Sequence, residues 1–225
     1  MPSSTVEDYL KAILHLEESD RRSLTVGEIA AELQVTPGTV SSMLRHLRDE
    51  GWVDYIPRRS VTLLPTGRQQ ALRVIRRHRL IESFLVSVMK LDWSEVHDEA
   101  EILEHVVSDR LLSRMDEMLG FPDFDPHGAP IPTDAGERNE SPSLPLSEAE
   151  PGSYTIAHVG ESDAQLLHWL REQGLIPGCD VEMAGKDGIV GIIELHRLPL
   201  RQKVLISEKV AEQIFLRPSR LTTPL

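Results

Sequence analysis

Of the six His, Asp and Glu side chains between residues 97 and 105, four are spaced to share a cation site: His97, Glu101, Glu104 and His105. Apolar residues at Val96, Ala100, Leu103, Val106 and Val107 recur at helical spacing, so a helix is expected from Val96 to Val107. On it Glu101, Glu104 and His105 stand at i, i+3 and i+4 and share one face, with His97 one turn before Glu101. Two carboxylates and an imidazole converging on one point suit a first-row metal ion. The same residues also describe a solvated acidic face, so the rest of the chain must decide. Asp8, His78 and Glu82, on two other expected helices, bring the candidate ligands to seven. An oxygen-rich set with a few imidazoles favours Mn²⁺ or Fe²⁺ over Cu⁺, which prefers sulfur. A di-iron carboxylate enzyme would carry Glu-x-x-His on each of two helices. Here the residue three after Glu101 is Glu104 and His105 follows at four, so that signature fails. No nucleophile or base is placed beside the candidates, and no enzyme is expected.

The elements that must hold these residues follow from periodicity. Thr5 to about Glu18 reads as a helix with Val6, Leu10, Ile13, Leu14 and Leu16 inward and Thr5 as its N-cap. Gly27 to Leu33 is a short helix. Gln34-Val35 is a tight turn. A second helix follows, capped by Thr36, with Pro37 at its first position, running to Glu50 and stopped by Gly51. That order is a helix-turn-helix. Trp52–Ile56 and Val61–Leu64 around the basic turn Pro57-Arg58-Arg59-Ser60 read as a β-hairpin wing. Pro65-Thr66-Gly67 opens a long helix to about Val88, Ser94 caps the acidic helix, and another helix runs from Ser108 to Leu119. Phe121 to Pro151 collapses into Pro, Gly, Ser, Asp and Glu, a loop and linker expected to be mobile between Thr133 and Pro145. Strand-like runs at 154–159, 180–183, 189–195 and 203–206, interrupted by a helix from Asp163 to Gln173, suggest a small barrel.

The fold class expected is therefore multidomain, mainly α with small β. Its parts are a winged helix over 1–72, a helical domain carrying most of the candidate ligands over 73–132, a linker over 133–147 and a small β-barrel over 148–220. Size permits this: 225 residues suffice for two or three small domains. Cys179 is the single cysteine, which excludes an intramolecular disulfide and a cysteine-rich zinc cluster and suits a cytoplasmic protein. No apolar run is long enough to span a membrane and no signal peptide is visible, so no membrane partner is expected.

The formal net charge of −12 would seem to argue against nucleic acid, but it is unevenly spread. Residues 1–80 hold 12 Lys/Arg and 10 Asp/Glu, a balance of +2, which leaves −14 for the remainder. The first part can approach phosphate and the second can hold cations. At the exposed start of the second helix Thr36, Pro37, Gly38, Thr39 and Ser42 allow close approach to base edges. Arg45 follows one turn later, and Arg58 and Arg59 stand at the wing tip to meet phosphates or the minor groove.

These residues, in this order, resemble the diphtheria-toxin-repressor family of metal-dependent transcription factors, which includes iron-dependent and manganese transport regulators. The matching stretches are Val6-Glu7-Asp8-Tyr9-Leu10, Pro37-Gly38-Thr39-Val40-Ser41, Pro65-Thr66-Gly67, Arg77-His78-Arg79-Leu80-Ile81-Glu82, Val96–Glu101 and Leu103–Asp109. The resemblance implies a winged helix, a helical dimerisation domain and an SH3-like (FeoA-type) C-terminal domain. It also implies two metal sites: a primary one at Asp8, Glu101, Glu104 and His105, and an ancillary one at His78, Glu82 and His97, with Glu161 and Gln165 from the C-terminal domain. In the iron-type branch Met and Cys stand where this chain has Asp8 and Glu101. Two carboxylates in place of two sulfur ligands favour the harder Mn²⁺. Lys11 departs from manganese regulators that bind a tight metal pair, which have Glu there; an ammonium cannot ligate a cation.

The function expected is a homodimeric, Mn²⁺-activated repressor of metal uptake genes that binds a palindromic operator. The alternatives are an Fe²⁺-responsive regulator of the same family, a winged-helix regulator sensing an organic effector, and a metal-dependent hydrolase or oxidase.

Overall fold

The structure, a computed structural model, describes residues 2–19, 24–139, 142–160 and 163–219. The chain forms two compact units, Met1–His78 with Pro132–Glu137, and Arg79–Ile131 with Arg138–Leu225.

The first unit is built on three helices and a hairpin. Helix α1 (Ser4–Ser19) buries Val6, Leu10, Ile13 and Leu14. Its cap is Ser3, not Thr5: the Ser3 hydroxyl accepts from Val6 N at 3.4 Å, while Thr5 lies inside the helix. A reciprocal capping box opens α2 (Val26–Glu32), with Thr25 N donating to Glu28 Oε2 at 2.7 Å and Glu28 N to Thr25 Oγ1 at 3.3 Å. Helix α3 (Pro37–Asp49) starts behind Thr36, whose hydroxyl accepts from Thr39 N, and ends at Gly51, which takes a left-handed φ of +74°. Strands β1 (Val53–Ile56) and β2 (Ser60–Leu63) pair antiparallel, with Ile56 opposite Ser60. Leu10, Ile13, Leu14, Ile29, Leu44 and Leu47 form a fully buried apolar centre.

Helix α4 (Pro65–Ser87) begins in this unit and continues into the next. Gly67 has a steric reason: a Cβ there would lie 2.0 Å from the Trp52 carbonyl oxygen. The stretch expected as a mobile linker is partly pinned to α4. Arg76 donates to the Pro132 carbonyl at 2.8 Å and to Asp134 Oδ1 at 2.9 Å, so Pro132–Glu137 belongs to the first unit.

The second unit contains the later part of α4, then α5 (Val96–Leu103), α6 (Asp109–Leu119) and a six-stranded antiparallel sheet. The strands are β3 (Leu144–Pro145), β4 (Gly152–Val159), β5 (Asp180–Asp187), β6 (Ile192–Arg197), β7 (Gln202–Ser207) and β8 (Ile214–Pro218), in the order β3-β8-β4-β5-β6-β7. Helices α7 (Ala164–Gln173) and α8 (Glu208–Ala211) accompany it. Strand β8, unmarked in the sequence reading, supplies buried Ile214 and Leu216 and pairs with both β3 and β4. Ile189 and Val190 are not in a strand. The Asp187 side chain accepts from both backbone amides and turns the chain there, so β6 starts only at Ile192.

The helical part and the sheet share apolar packing. Trp93 and Val86 lie against the barrel core of Ile156, Leu167, Leu170, Val181 and Leu195, and Arg171 of α7 pairs with Asp92. A second cluster, Leu80, Ile81, Leu85, Val96, Ala100, Leu112 and Ile131, packs α4, α5 and α6 together. Among the described residues no helix is long and apolar enough to cross a membrane.

Candidate metal centre

The acidic helix is shorter than its periodicity predicts. Ser94 does not cap it: its amide and hydroxyl both donate to Asp92 Oδ1, at 3.0 and 2.8 Å, and Glu95 takes the N-cap position without a side-chain bond. At the other end α5 stops at Leu103. Val106 N and Val107 N both donate to the Leu103 carbonyl, and Ser108 then caps α6 through Leu111 N. Glu104 is the C-cap of α5, still with helical dihedrals, and His105 lies in the turn beyond it. Glu101, Glu104 and His105 therefore keep their consecutive placement although the helix has ended.

Inside the second unit these residues meet in pairs. His105 Nε2 lies 3.5 Å from Glu104 Oε1, and Glu104 is fully buried. Glu101 Oε1 lies 3.7 Å from His97 Nε2, and the other ring nitrogen, His97 Nδ1, lies 3.5 Å from Glu82 Oε1. His97 thus stands between a residue expected in the primary set and one expected in the ancillary set. Asp8 is half-buried on α1 of the first unit, and His78 is buried on α4 one turn before Glu82.

Glu82 has two further neighbours that sequence reasoning missed. Ligand atoms of Glu82, Asp125 and His127 all lie within 4.8 Å of one another, and all three residues are buried. His127 Nδ1 is 3.6 Å from Glu82 Oε2. His127 Nε2 lies 2.8 Å from the Trp93 carbonyl, which can only accept, so in the neutral ring Nε2 carries the proton and Nδ1 presents its lone pair toward Glu82. The indole of Trp93 stacks on the imidazole, with centroids 5.3 Å apart, and fixes its plane. Asp125 Oδ1 accepts from His127 N and Ala129 N at 2.8 and 3.0 Å, while Arg79 Nε approaches Oδ2 at 3.3 Å.

An imidazole lone pair, two carboxylates and a hydrogen-bonded outer ring nitrogen fit a divalent cation of the Mn²⁺ or Fe²⁺ class. Gly128 explains how the loop reaches this place. It has φ +87°, and a Cβ there would lie 2.2 Å from the Ala157 carbonyl oxygen. The sequence signal available was an Asp-x-His-Gly run, Asp125 to Gly128, inside a stretch otherwise read as linker.

Glu161 lies outside the described residues. Gln165 is exposed in the first turn of α7, and among the described residues no hydrogen bond or ion pair joins its side chain to Glu82 or His97. Near the site His158 stacks on Phe215, with centroids 4.1 Å apart. Burial, and then the Arg79 guanidinium, lower its pKa to about 4.

The residues expected to read DNA are all exposed: Thr36, Pro37, Gly38, Thr39, Ser42 and Arg45 at and along the first turns of α3, and Arg58 and Arg59 in the turn between β1 and β2. The Thr36 and Thr39 hydroxyls bond each other at 2.9 Å, Ser41 Oγ donates to the Pro37 carbonyl, and Arg45 Nε donates to the Ser41 carbonyl at 3.0 Å.

Comparison with known proteins finds three matching regions. Residues 1–61 match the N-terminal DNA-binding domain of iron-dependent repressors, 64–133 their metal-binding and dimerisation domain, and 144–218 the FeoA domain. The chain is 33% identical to the diphtheria toxin repressor of Corynebacterium glutamicum, over 84% of this chain and 87% of that one. It is 32% identical to the iron-dependent repressor IdeR of Mycobacterium leprae, over 85% and 90%. A manganese-dependent transcriptional repressor in complex with manganese superposes with a TM-score of 0.89 at 35% identity, covering 95% of this chain and all (100%) of that one. ScaR with bound Cd²⁺ superposes at 0.82 with 33% identity, over 97% and 100%.

Proposed function

This chain belongs to the diphtheria-toxin-repressor family of metal-dependent DNA-binding repressors, which are not enzymes, and from that premise we propose that it is a Mn²⁺-activated repressor of metal uptake genes. It acts as a cytoplasmic homodimer on a palindromic operator. The observation that carries the choice of metal is the donor set. Every candidate ligand, in the primary set of Asp8, Glu101, Glu104 and His105 and in the buried cluster of Glu82, Asp125 and His127, offers oxygen or imidazole nitrogen and none offers sulfur. Mn²⁺ stands low in intrinsic affinity among divalent first-row ions, so a protein favours it through hard ligands and geometry. Of the similar structures one is a manganese-dependent repressor in complex with manganese and another, ScaR, holds Cd²⁺, while the similar repressors of Corynebacterium glutamicum and Mycobacterium leprae are a diphtheria toxin repressor and an iron-dependent repressor. The rival reading, activation by Fe²⁺, rests on those relatives.

For the ancillary site we propose His78, Glu82 and His97, as the sequence match has them, with Asp125 and His127 as further ligands beside Glu82. The primary set is carried over from the sequence match. It comprises Asp8, Glu101, Glu104 and His105, and an ion held by all four favours the DNA-competent arrangement of the chain. Its effect on DNA binding equals its differential affinity for that arrangement. Ser42 and Arg45, with Thr36 to Thr39, read one half-site, and the dimer repeats the reading about one helical turn away.

The test is a titration of DNA binding with Mn²⁺, Fe²⁺ and Zn²⁺, using a duplex enriched from a randomised pool. Mn²⁺ is expected to raise affinity, and Glu101→Ala or His105→Ala to abolish the rise. Equal binding in chelator and in Mn²⁺ rejects the reading, and a larger response to Fe²⁺ at equal free metal favours the rival. A sharper arm combines Asp8→Met with Glu101→Cys, which should move the response toward Fe²⁺.

A further inference from the structure

Between the C-terminal parts of α4, α6 and α7 the second unit has an open groove of about 620 Å³. That volume lies in the range of sites for small organic molecules. Its wall is mainly apolar: Val86, Trp93, Leu119, Phe124 and Ile176 line it, and Phe124 and Ile176 are exposed. The charged residues of the lining are Lys90, Arg171 and Asp125. Asp125 is buried and already satisfied by charge and amides, with Arg79 beside it and the His127 and Ala129 N–H groups donating to it. Arg171 is matched by Asp92. Lys90 is different. Its exposed ammonium donates to a neutral group, the Ser87 carbonyl, at 2.7 Å, and among the described residues no carboxylate pairs with it. An unmatched cation stands out in a stretch, residues 81–225, whose charge balance is −14. Trp93 adds a second polar feature: its indole N–H is buried and has no hydrogen-bond acceptor among the described residues. A buried indole N–H usually finds an acceptor, so its place in the wall favours an occupant that carries oxygen.

We propose that this groove binds an amphipathic organic anion, an aliphatic body with a carboxylate head. The body lies against Val86, Leu119, Phe124 and Ile176, which otherwise face water, and the head meets Lys90. An inorganic anion would leave the apolar wall uncovered, and an uncharged apolar molecule would leave Lys90 unmatched. The occupant is also a second input to metal binding, and this part rests on the function proposed above. Groove and metal cluster share Asp125, and Trp93 holds the His127 ring through its carbonyl. A carboxylate brought near a cation site raises its affinity for the cation, and by linkage the cation raises the affinity for the carboxylate by the same factor.

The test is calorimetric titration of the full-length protein with decanoate and with uncharged decan-1-ol, in chelator and in saturating Mn²⁺. In chelator, Lys90→Gln should weaken decanoate by about tenfold and leave decan-1-ol unchanged, while Lys90→Arg should keep the wild-type affinity. Ile176→Glu, at an exposed position, should abolish decanoate binding. Mn²⁺ should tighten decanoate by about threefold in the wild type and not in His127→Ala. Absence of decanoate binding overturns the site, as does an equal loss of both ligands in Lys90→Gln, or binding that survives Ile176→Glu. Binding that appears only on dilution to monomers overturns it too, since a second copy would then be the occupant. If decanoate binds through Lys90 and ignores bound Mn²⁺, the input to metal binding is overturned. If Mn²⁺ itself does not bind, the metal-activated reading fails instead, and the titrations in chelator still decide the groove.

Discussion

The two units bury different kinds of residue. In the first, the enclosed centre is Leu, Ile and Val, and its buried charged groups are few; one of them, Glu7, has Arg77 Nη1 at 3.7 Å. The second unit encloses Glu82, Glu104, Asp116, Asp125 and His127 as well as its apolar clusters. Removing an ionised carboxylate from water is unfavourable unless charge or hydrogen bonds replace the water. The first unit can therefore reach its fold by burial of apolar surface alone, whereas the stability of the second depends on what is offered to its acids. A cation bound among these acids would add to the Arg79, imidazole and backbone-amide contacts they already make, and the difference teaches where a metal would act most: on the part whose interior holds charge, not on the apolar one.

The largest expected effect tests the independence of the reader. Leu44→Ala empties a fully buried position in the first unit and should destabilise that unit by about 3 kcal/mol. Followed by denaturant and region-resolved hydrogen exchange, the loss should be the same in chelator and in Mn²⁺. A metal-dependent loss would erase the distinction between the units. Next, Mn²⁺ at about 100 times its dissociation constant should stabilise the second unit by about 2.7 kcal/mol over chelator. His127→Ala should reduce that increment, and an unchanged increment would remove the buried cluster from the ligands.

Acid gives a third comparison. His158 has a folded pKa of about 4, below the ordinary 6.5, because burial and then Arg79 disfavour its charged form. Its unfolded form binds a proton first, so stability from this residue is full above about pH 6.5 and is lost as pH falls toward 4. The second unit should lose about 3 kcal/mol across that window from this source, and His158→Gln should flatten the loss. An identical pH profile in the variant would place the acid sensitivity elsewhere. The smallest effect is local: Thr36→Ala removes the cap of α3 and should cost the first unit about 1 kcal/mol, with no change in the Mn²⁺ increment of the second.

What could be read from the sequence divides along the same line. The reading helix was legible because its limits are chemical: Thr36 and Pro37 at one end, Gly51 at the other, and apolar residues at helical spacing between. The candidate ligands His78, Glu82, His97 and Glu101 were open to proposal from the sequence for a related reason, since helical spacing carries a face with it. Asp125 and His127 were not, because they lie on irregular backbone. Their placement depends on the Asp125 side chain folding back on its own turn, on Gly128 passing close to Ala157, and on the Trp93 carbonyl more than thirty residues away (|i−j| = 34). Strand β8 was hidden by distance as well: its partner β4 lies far back in the chain, and neither period nor turn chemistry announces such a pairing. The early end of α5 escaped because Val106 and Val107 continue the apolar period after the backbone has turned toward Ser108.

Trp93 has a consequence for how such a chain can be shortened over evolution. Its ring belongs to the barrel's apolar core, its carbonyl holds the His127 imidazole, and the His127 carbonyl in turn accepts from Val159 N of β4. A gene trimmed before Leu144 would uncover the indole to water and remove the Val159 amide from the His127 carbonyl. A two-domain version of this chain would call for a small or polar residue at position 93 and another brace for the loop that carries Asp125 and His127, so position 93 and the barrel form one structural unit of design.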